Sequence, residues 1–342
     1  MRSTQSLIII FIVFFYSSWM LSAEVNVYTS RHYDSDEKLY EDFTDLTGIK
    51  VNIISAKGKA LIERLRSEGN NSPADLFITV DAGNLWKVQE YGLFQEIKSK
   101  KIDAIVPAKF KGKNNEWVAL AKRARVIFYN PENLSNNDIQ NLSYEDLSLP
   151  KWKDKIVIRS SNNMYNQSLV ASIIAKKGEK HAENWARGFV NNFARKPQGN
   201  DRAQIIAVAN GEADLAIANS YYLGFMLSGT KGEKQLAAGK KVKILFPSQD
   251  SDGAHVNISG AGILKSSKNY DNALKFLEFM LSEKAQKHLV DNTYEYPVNT
   301  KVKPNSLIAQ FGTSFKEDEV DVLNFGLFNA DALKLMDRVG WQ

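Results

Sequence analysis

The sequence predicts an α/β protein with two domains, each built around a mainly parallel sheet flanked by helices. Three observations lead to this prediction. Apolar strands alternate with amphipathic helices from residue 24 onward, which is typical of a sheet covered on both faces. Removing residues 1–23 as a leader leaves 342 − 23 = 319 residues, enough for two domains of roughly 150 residues each. A long extended segment, 117–131, ends at a proline and is predicted to cross from one domain into the other.

The N-terminal residues 1–23 have the pattern of a secretory signal peptide. An apolar run, 7–16, follows Arg2, and small residues close the segment at Ala23. We therefore expect cleavage after Ala23. An uncleaved membrane anchor is the alternative, because Leu21 stands where a small residue is usual. A lipid anchor is excluded, since it requires a cysteine after the signal, so the cleaved product is expected to have no stable membrane insertion.

Composition excludes several kinds of site. The chain has no cysteine, which excludes iron–sulfur clusters, cysteine-ligated zinc, thiol nucleophiles and disulfides. The formal net charge is +5, and loss of Arg2 with the signal leaves 5 − 1 = +4. Basic residues form only short clusters, at 98–101, 109–113 and 151–155, which are typical of solvated faces. Nucleic acid binding is therefore not expected, since it requires a basic stripe with interleaved aromatic residues.

In the first domain the predicted elements follow one another closely. Apolar spacing and glycine stops predict strand 25–28, helix 35–46 ending at Gly48, strand 50–55, helix 59–68, strand 74–80 and helix 84–91. The helix at 35–46 is signalled at its start by Asp34 with Glu37 three residues on.

The second domain repeats the alternation after the crossing segment. The predicted elements are strand 155–158, a helix from about Asn166, helices 179–191 and 201–210, and strand 214–218. Segments 241–247 and 254–267 are interpreted as the return path into the first sheet, followed by helices 271–280 and 283–291 and by helical periodicity after Ala330. We therefore assign residues 24–122 and 247–297 to the first lobe and 123–246 and 298–342 to the second.

Tyrosines stand at three of the predicted strand-to-helix turns. Tyr221 and Tyr222 follow strand 214–218 and the potential N-cap Ser220, Tyr33 follows the first strand, and Tyr165 precedes a helix. A single tyrosine is usually a packing residue. These four, however, lie in polar turns outside the carboxyl ends of strands, where ligands bind to α/β sheets. The turn after strand 74–80 has Asp81-Ala82-Gly83 instead.

Recognisable catalytic motifs are missing. The sequence has no GxSxG, no HExxH and no P-loop, and Gly260-Ala261-Gly262 has no dinucleotide context. Its four histidines are scattered, and only His32 falls in a tyrosine turn. A histidine–carboxylate metal site is therefore not expected.

Converging phenols without thiols suggest a different ligand. Phenolate is a hard anionic oxygen donor and suits a hard trivalent cation such as ferric iron (Fe3+). Four phenolates on Fe³⁺ leave a charge of 3 − 4 = −1, which requires a cation nearby. Arg202, at the start of the helix before strand 214–218, is the predicted counter-charge. Arg123, Arg125 and Arg31 are the alternatives.

Four stretches together resemble the ferric-ion-binding proteins of the FutA/FbpA family, the periplasmic solute-binding components of iron ABC transporters. They are VNVYTSRHYDSDEKLYEDFTDLTGIKV, ADLFITVDAGNLW, WVALAKRARVIFYNP and GEADLAIANSYY, and the resemblance covers most of the chain after residue 23. It implies a type II periplasmic-binding-protein fold, with two lobes joined by crossing hinge strands and Fe³⁺ held in the cleft.

The resemblance also implies site residues and partners. The family's paired tyrosines match Tyr221 and Tyr222, its N-terminal ligand loop matches His32-Tyr33, and its further tyrosine matches Tyr165. Whether His32 binds the metal or only lies beside Tyr33 is left open, and the fourth tyrosine implies that no bound anion is required. The expected protein is a periplasmic monomer with no enzymatic activity that delivers Fe³⁺ to an ABC permease and its ATPase.

Alternative functions come from other classes. A binding protein of the same fold for an organic or oxyanion solute is the first alternative. A secreted enzyme is the second, although no nucleophile or acid–base pair is identifiable. A redox or storage role for iron is the third, since sequence does not separate delivery of iron from its sequestration.

Overall fold

The computed structural model describes residues 23–31, 33–312 and 314–342. The predicted signal peptide, apart from Ala23, and the candidate ligand His32 therefore lie outside the described residues. Across the part of the chain that is described, no helix is both long enough and apolar enough to cross a membrane.

Strands and helices alternate through the described residues, as the sequence predicts. The strands are β1 (Glu24–Thr29), β2 (Lys50–Ser55), β3 (Leu76–Val80), β4 (Trp117–Tyr129), β5 (Ile156–Val157), β6 (Leu215–Asn219), β7 (Lys243–Leu245), β8 (Val256–Ile263) and β9 (Tyr296–Pro297). The α-helices are α1 (Asp36–Thr47), α2 (Gly58–Glu68), α3 (Ala82–Glu90), α4 (Lys100–Ile105), α5 (Asn136–Ile139), α6 (Met164–Lys177), α7 (Glu179–Val190), α8 (Asp201–Ala209), α9 (Tyr221–Leu227), α10 (Glu233–Lys241), α11 (Tyr270–Met280), α12 (Glu283–Thr293), α13 (Ser306–Ala309), α14 (Leu323–Leu327) and α15 (Asn329–Arg338).

The strands form one continuous order, β2-β1-β3-β8-β4-β6-β5, with β7 and β9 also paired to β4. In the first lobe β1 is parallel to β2 and β3, and β8 runs antiparallel to β3 and β4. In the second lobe β5 and β6 are parallel, and β4 runs antiparallel to β6 and β7. The α/β two-lobed class is confirmed. Strand β4 joins the two sheets, since it pairs with β8 and β9 of the first and with β6 and β7 of the second.

Apolar spacing explains why the helices form where they do. In α1 the buried side chains Leu39, Tyr40 and Phe43 recur at helical spacing. The helix ends at Gly48, whose φ of 71° is accessible to glycine at little cost. Helix α6 instead is buried over most of its length, including Leu169, and this places it between other elements rather than on the surface.

The described residues form three hydrophobic cores. The first contains Phe43, the second contains Phe189 and the third contains Phe128. The C-terminal stretch contributes to the first two, because Phe325 lies in the first core and Trp341 in the second. The lobe boundaries assigned from sequence stay a prediction.

Local details differ from the sequence predictions. Strand β7 pairs with β4 and so belongs to the second sheet, not to a return path into the first. Helix α6 begins at Met164, so Tyr165 lies in its first turn. Ser220 has helical φ and ψ rather than the extended conformation typical of an N-cap, and it makes no capping bond. Likewise α1 starts at Asp36 without a side-chain cap.

Candidate metal site

A cavity of about 630 Å³ contains every predicted site residue that the structure describes. Its walls include Tyr33, Tyr165, Tyr221, Tyr222 and Arg202. The structure thus brings together four phenols that are far apart in sequence.

Each phenol is positioned by the end of a strand and the start of a helix. Tyr33 follows β1, while Tyr221 and Tyr222 are the first two residues of α9 directly after β6. The rings of Tyr221 and Tyr222 lie 4.3 Å apart, centroid to centroid. Tyr33 stacks on Phe225 of α9 with centroids 6.0 Å apart. This contact joins the first-lobe loop to a second-lobe helix, so the two sides of the cleft touch at the site.

Arginine guanidinium groups lie over three of the four phenol rings. Arg31 Cζ lies 4.8 Å from the centroid of Tyr33, and Arg123 Cζ lies 5.3 Å from that of Tyr221. Arg125 and Arg159 lie 5.8 and 5.9 Å from that of Tyr165.

The arginines over the rings include all three alternatives that the sequence suggested for a counter-charge. Arg202, the predicted choice, lies on the cavity wall, and its role as counter-charge stays a prediction. Arg159 was not singled out in the sequence.

The buried carboxylate of Glu295 binds both Arg31 and Arg123. Glu295 accepts hydrogen bonds from Arg31 Nη1 at 3.0 Å, from Arg123 Nε and from Ser259 Oγ at 3.0 Å. The Glu295 side chain is fully buried. Arg31 also pairs with Asp36 at 2.9 Å.

A second buried carboxylate, Asp201, repeats this arrangement in the other lobe. It accepts bonds from Arg125 at 2.7 Å and from Arg159 at 2.6 Å. Sequence reasoning missed both carboxylates. A charged residue between Tyr294 and Tyr296 was the available signal for Glu295, whereas Asp201 looked like an ordinary acidic residue at a helix start.

The charges around the phenols nearly balance. Four arginines (31, 123, 125 and 159) face three carboxylates (36, 201 and 295), so the framework carries 4 − 3 = +1. A trivalent cation with four phenolates carries 3 − 4 = −1. The framework therefore offsets the charge of such a complex.

Burial favours the protonated form of three of the phenols, those of Tyr33, Tyr221 and Tyr222, in the absence of a metal. It raises the pKa of Tyr221 and of Tyr222, and the nearby Tyr165 raises both further. Burial and the Glu295 carboxylate raise the pKa of Tyr33, although Arg123 and Arg31 oppose this. Burial would raise the pKa of Glu295, but Arg123 and Arg31 outweigh it and lower that pKa to about 2. A cation that binds here must displace the phenol protons.

The donor set suits a hard cation. Within the described ranges no group of three or more His, Cys, Asp or Glu side chains is placed to hold a metal. The phenols are therefore the candidate donors, and phenolate oxygen matches a trivalent cation such as Fe³⁺.

Comparison with known proteins gives consistent matches. The family model for bacterial extracellular solute-binding protein matches residues 71–311. Iron uptake protein A1 of Synechocystis sp. is 47% identical over 319 residues, which are 93% of this chain and 88% of that protein.

Solved structures of similar proteins point to the same group of iron-binding proteins. The Trichodesmium protein IdiA/FutA, in complex with iron and citrate ligands, has 51% sequence identity and a TM-score of 0.90, covering 94% of this chain and 100% of that one. A ferric binding protein from Campylobacter jejuni has 43% identity and a TM-score of 0.86, covering 93% and 100%. These relatives are binding and uptake proteins. The chain belongs to the bacterial extracellular solute-binding protein family and, within it, to the FutA/FbpA group of iron-uptake proteins with the type II periplasmic-binding fold.

Proposed function

We propose that this protein binds ferric iron between its lobes through the phenolates of Tyr33, Tyr165, Tyr221 and Tyr222, and delivers it for uptake. The observation that carries the proposal is the convergence of these phenols, from three strand-to-helix turns, on one cavity. The relatives' names point to the same cargo.

Electrostatics support a trivalent cargo. Four phenolates and Fe³⁺ together carry −1, and the arginine–carboxylate framework carries the opposite charge. Because most of these arginines and carboxylates are buried, their charges act more strongly than they would in bulk solvent. The cavity wall also carries Arg202 and Lys231, whose charges are matched by Asp34 and Asp291. Arg202 remains the proposed counter-charge, and His32 remains a proposed ligand or neighbour of the metal.

Because the proposed ligands come from both lobes, metal binding requires the lobes to close about the hinge. Tyr33 comes from the first lobe, and the other three phenols come from the second. All four can reach one ion only when the cleft is closed, so the ion stabilises the closed state through contacts that the open state lacks.

Delivery requires partners outside this chain. The family implies an ABC transporter, so we propose that a permease with its ATPase receives the iron from a periplasmic, monomeric protein released by signal cleavage. The chain's own task in this scheme is binding and release. No catalytic step is part of the proposal.

The test is a visible absorption spectrum of the purified mature protein, before and after addition of ferric citrate. Phenolate-to-Fe³⁺ charge transfer should produce a visible band that saturates at about one equivalent of iron. Tyr222→Phe should weaken or shift the band. Tyr91→Phe, which alters a tyrosine that is 44% exposed and away from the cavity, should leave it unchanged. A protein that stays colourless would overturn the ferric assignment.

An organic or oxyanion solute is the second candidate. Its support is that Arg123 lines the cavity with its Nη1 atom buried and without a hydrogen-bond partner. Such a guanidinium suits an anionic group. Retention of solute binding after Tyr222→Phe combined with Tyr165→Phe would favour this candidate over iron.

A further inference from the structure

Three of the four predicted strand-to-helix turns carry tyrosines, and the fourth carries Asp81 instead. It lies between β3 and α3 with φ of 75°, a backbone conformation that non-glycine residues rarely adopt. Its side chain is 1% exposed. A buried, conformationally strained carboxylate beside a binding cleft points to a specific role.

The carboxylate of Asp81 bonds across the lobes. Ser168 Oγ donates to it, at 3.0 Å from Oδ1 and 2.9 Å from Oδ2. Asp81 belongs to a turn of the first lobe, whereas Ser168 lies in α6, whose neighbouring Leu169 packs in the second core. The two residues are 87 positions apart, and Ser168 is fully buried.

Helix α6 carries Tyr165 in its first turn. Tyr165 and Ser168 are three residues apart, so they lie on the same face of the helix. Between them, Asn166 Oδ1 accepts a bond from Arg125 on the crossing strand at 2.6 Å. The start of α6 is thus fixed to the hinge by Asn166 and to the first lobe by Ser168.

We propose that Asp81 is a positioning residue for the metal site: through Ser168 it holds α6, and with it the phenol of Tyr165, against the first lobe. The bond keeps the Tyr165 phenol in register with that of Tyr33 and favours the closed cleft. This inference rests on the proposed function for its effect on iron. The interlobe bond itself does not depend on the cargo.

A carboxylate is required at position 81 because every neighbour donates to it. Gly83 N–H donates at 2.9 Å, and Asn257 Nδ2 donates at 2.9 Å. The Asn257 amide cannot turn round, since its Oδ1 already accepts from Ala82 N and Ile258 N. An amide at position 81 would therefore place its NH₂ group against either the Asn257 NH₂ or the Gly83 N–H.

The experiment compares Ser168→Ala with Ser172→Ala. Both serines are fully buried in α6, but Ser172 Oγ donates only to Leu169 O in its own helix. Iron release from loaded protein to a competing chelator is followed by loss of the visible band. We expect Ser168→Ala to release iron about tenfold faster than wild type, and Ser172→Ala to match wild type. Equal rates for the two variants would overturn the proposal.

A second measurement separates positioning from general instability. Thermal unfolding should shift by a similar amount in both serine variants, and scattering from the iron-free proteins should give a larger radius of gyration only for Ser168→Ala. Asp81→Asn should release iron at least as fast as Ser168→Ala. If wild type binds no iron, the proposed function fails, and the scattering comparison alone decides the inference: a larger radius for Ser168→Ala supports it, and equal radii overturn it.

Discussion

The carboxylate of Glu295 accepts the Nε–H of Arg123, and this buried pair connects the segment after α12 to the crossing strand β4. Glu295 also binds Arg31, two residues before Tyr33, while Arg123 lies over the ring of Tyr221. Glu295 therefore holds in place the two guanidinium groups that lie over the rings of Tyr33 and Tyr221, the candidate ligands from the two lobes.

Removing the charge of Glu295 should destabilise the fold. Glu295→Gln leaves the buried Arg123 guanidinium without a counter-ion, whereas Arg31 keeps Asp36. We therefore expect a loss of about 3–5 kcal/mol in the free energy of unfolding. Urea denaturation measures it. Glu319→Gln, whose side chain is 86% exposed, should change stability by less than about 0.5 kcal/mol. Equal stabilities for the two variants would show that the buried pair contributes nothing.

Acid should remove the stability that the ionised Glu295 carboxylate contributes to the fold. The pKa of Glu295 in the folded protein is about 2, below its ordinary 4.5. Its ionised form therefore stabilises the fold above about pH 4.5, and the contribution disappears as the pH falls from there toward 2. We expect the stability difference between wild type and Glu295→Gln to be constant at pH 6–8 and to shrink below about pH 4.5. A difference that grows with acid would contradict this assignment.

Iron affinity should rise with pH. Because the pKa values of Tyr33, Tyr221 and Tyr222 are raised, these phenols are protonated before the metal binds, and binding releases their protons. Lower pH favours the protonated phenols and so weakens binding. Competition with a fixed chelator, corrected for the chelator's own protonation, should show weaker binding at pH 6 than at pH 8. The slope should be smaller for Tyr222→Phe, and unchanged for Tyr91→Phe.

Gly224 should tolerate no side chain. A Cβ atom there would lie 2.3 Å from Cγ of Tyr294, whose ring also contacts Phe225 beside the site. We expect Gly224→Ala to displace Tyr294, to cost about 1–3 kcal/mol of stability and to weaken iron binding. Gly58→Ala is the control, because its Cβ would meet nothing closer than 3.4 Å. Wild-type iron binding by Gly224→Ala would show that the Tyr294 contact does not shape the site.

Iron should close the cleft. Scattering from iron-loaded protein should give a smaller radius of gyration than scattering from iron-free protein. Phe225→Ala removes the ring on which Tyr33 stacks, so the loaded variant should remain more open than loaded wild type. Superimposable profiles for loaded and iron-free wild type would count against a hinge motion.

Local patterns predicted most of the longer strands and helices and the candidate ligands, but they missed helices such as α4 and α10. Alternating apolar runs with glycine stops, as at Gly48, specify strands and helices because secondary structure depends on residues within a few positions of one another. The turns that carry Tyr33, Tyr165 and Tyr221 were found for the same reason, since each lies beside its own strand or helix in sequence.

Tertiary structure alone decided what surrounds those tyrosines. Glu295 and Arg31 are 264 positions apart, and Ser168 and Asp81 are 87 positions apart, so no local pattern predicts either contact. The sequence by itself determined the α/β class and the four phenols, because backbone periodicity and turn position are local properties. Only packing across the crossing strand β4 decided which charges face the phenols, because a buried charge takes the partner that the fold brings within hydrogen-bond distance.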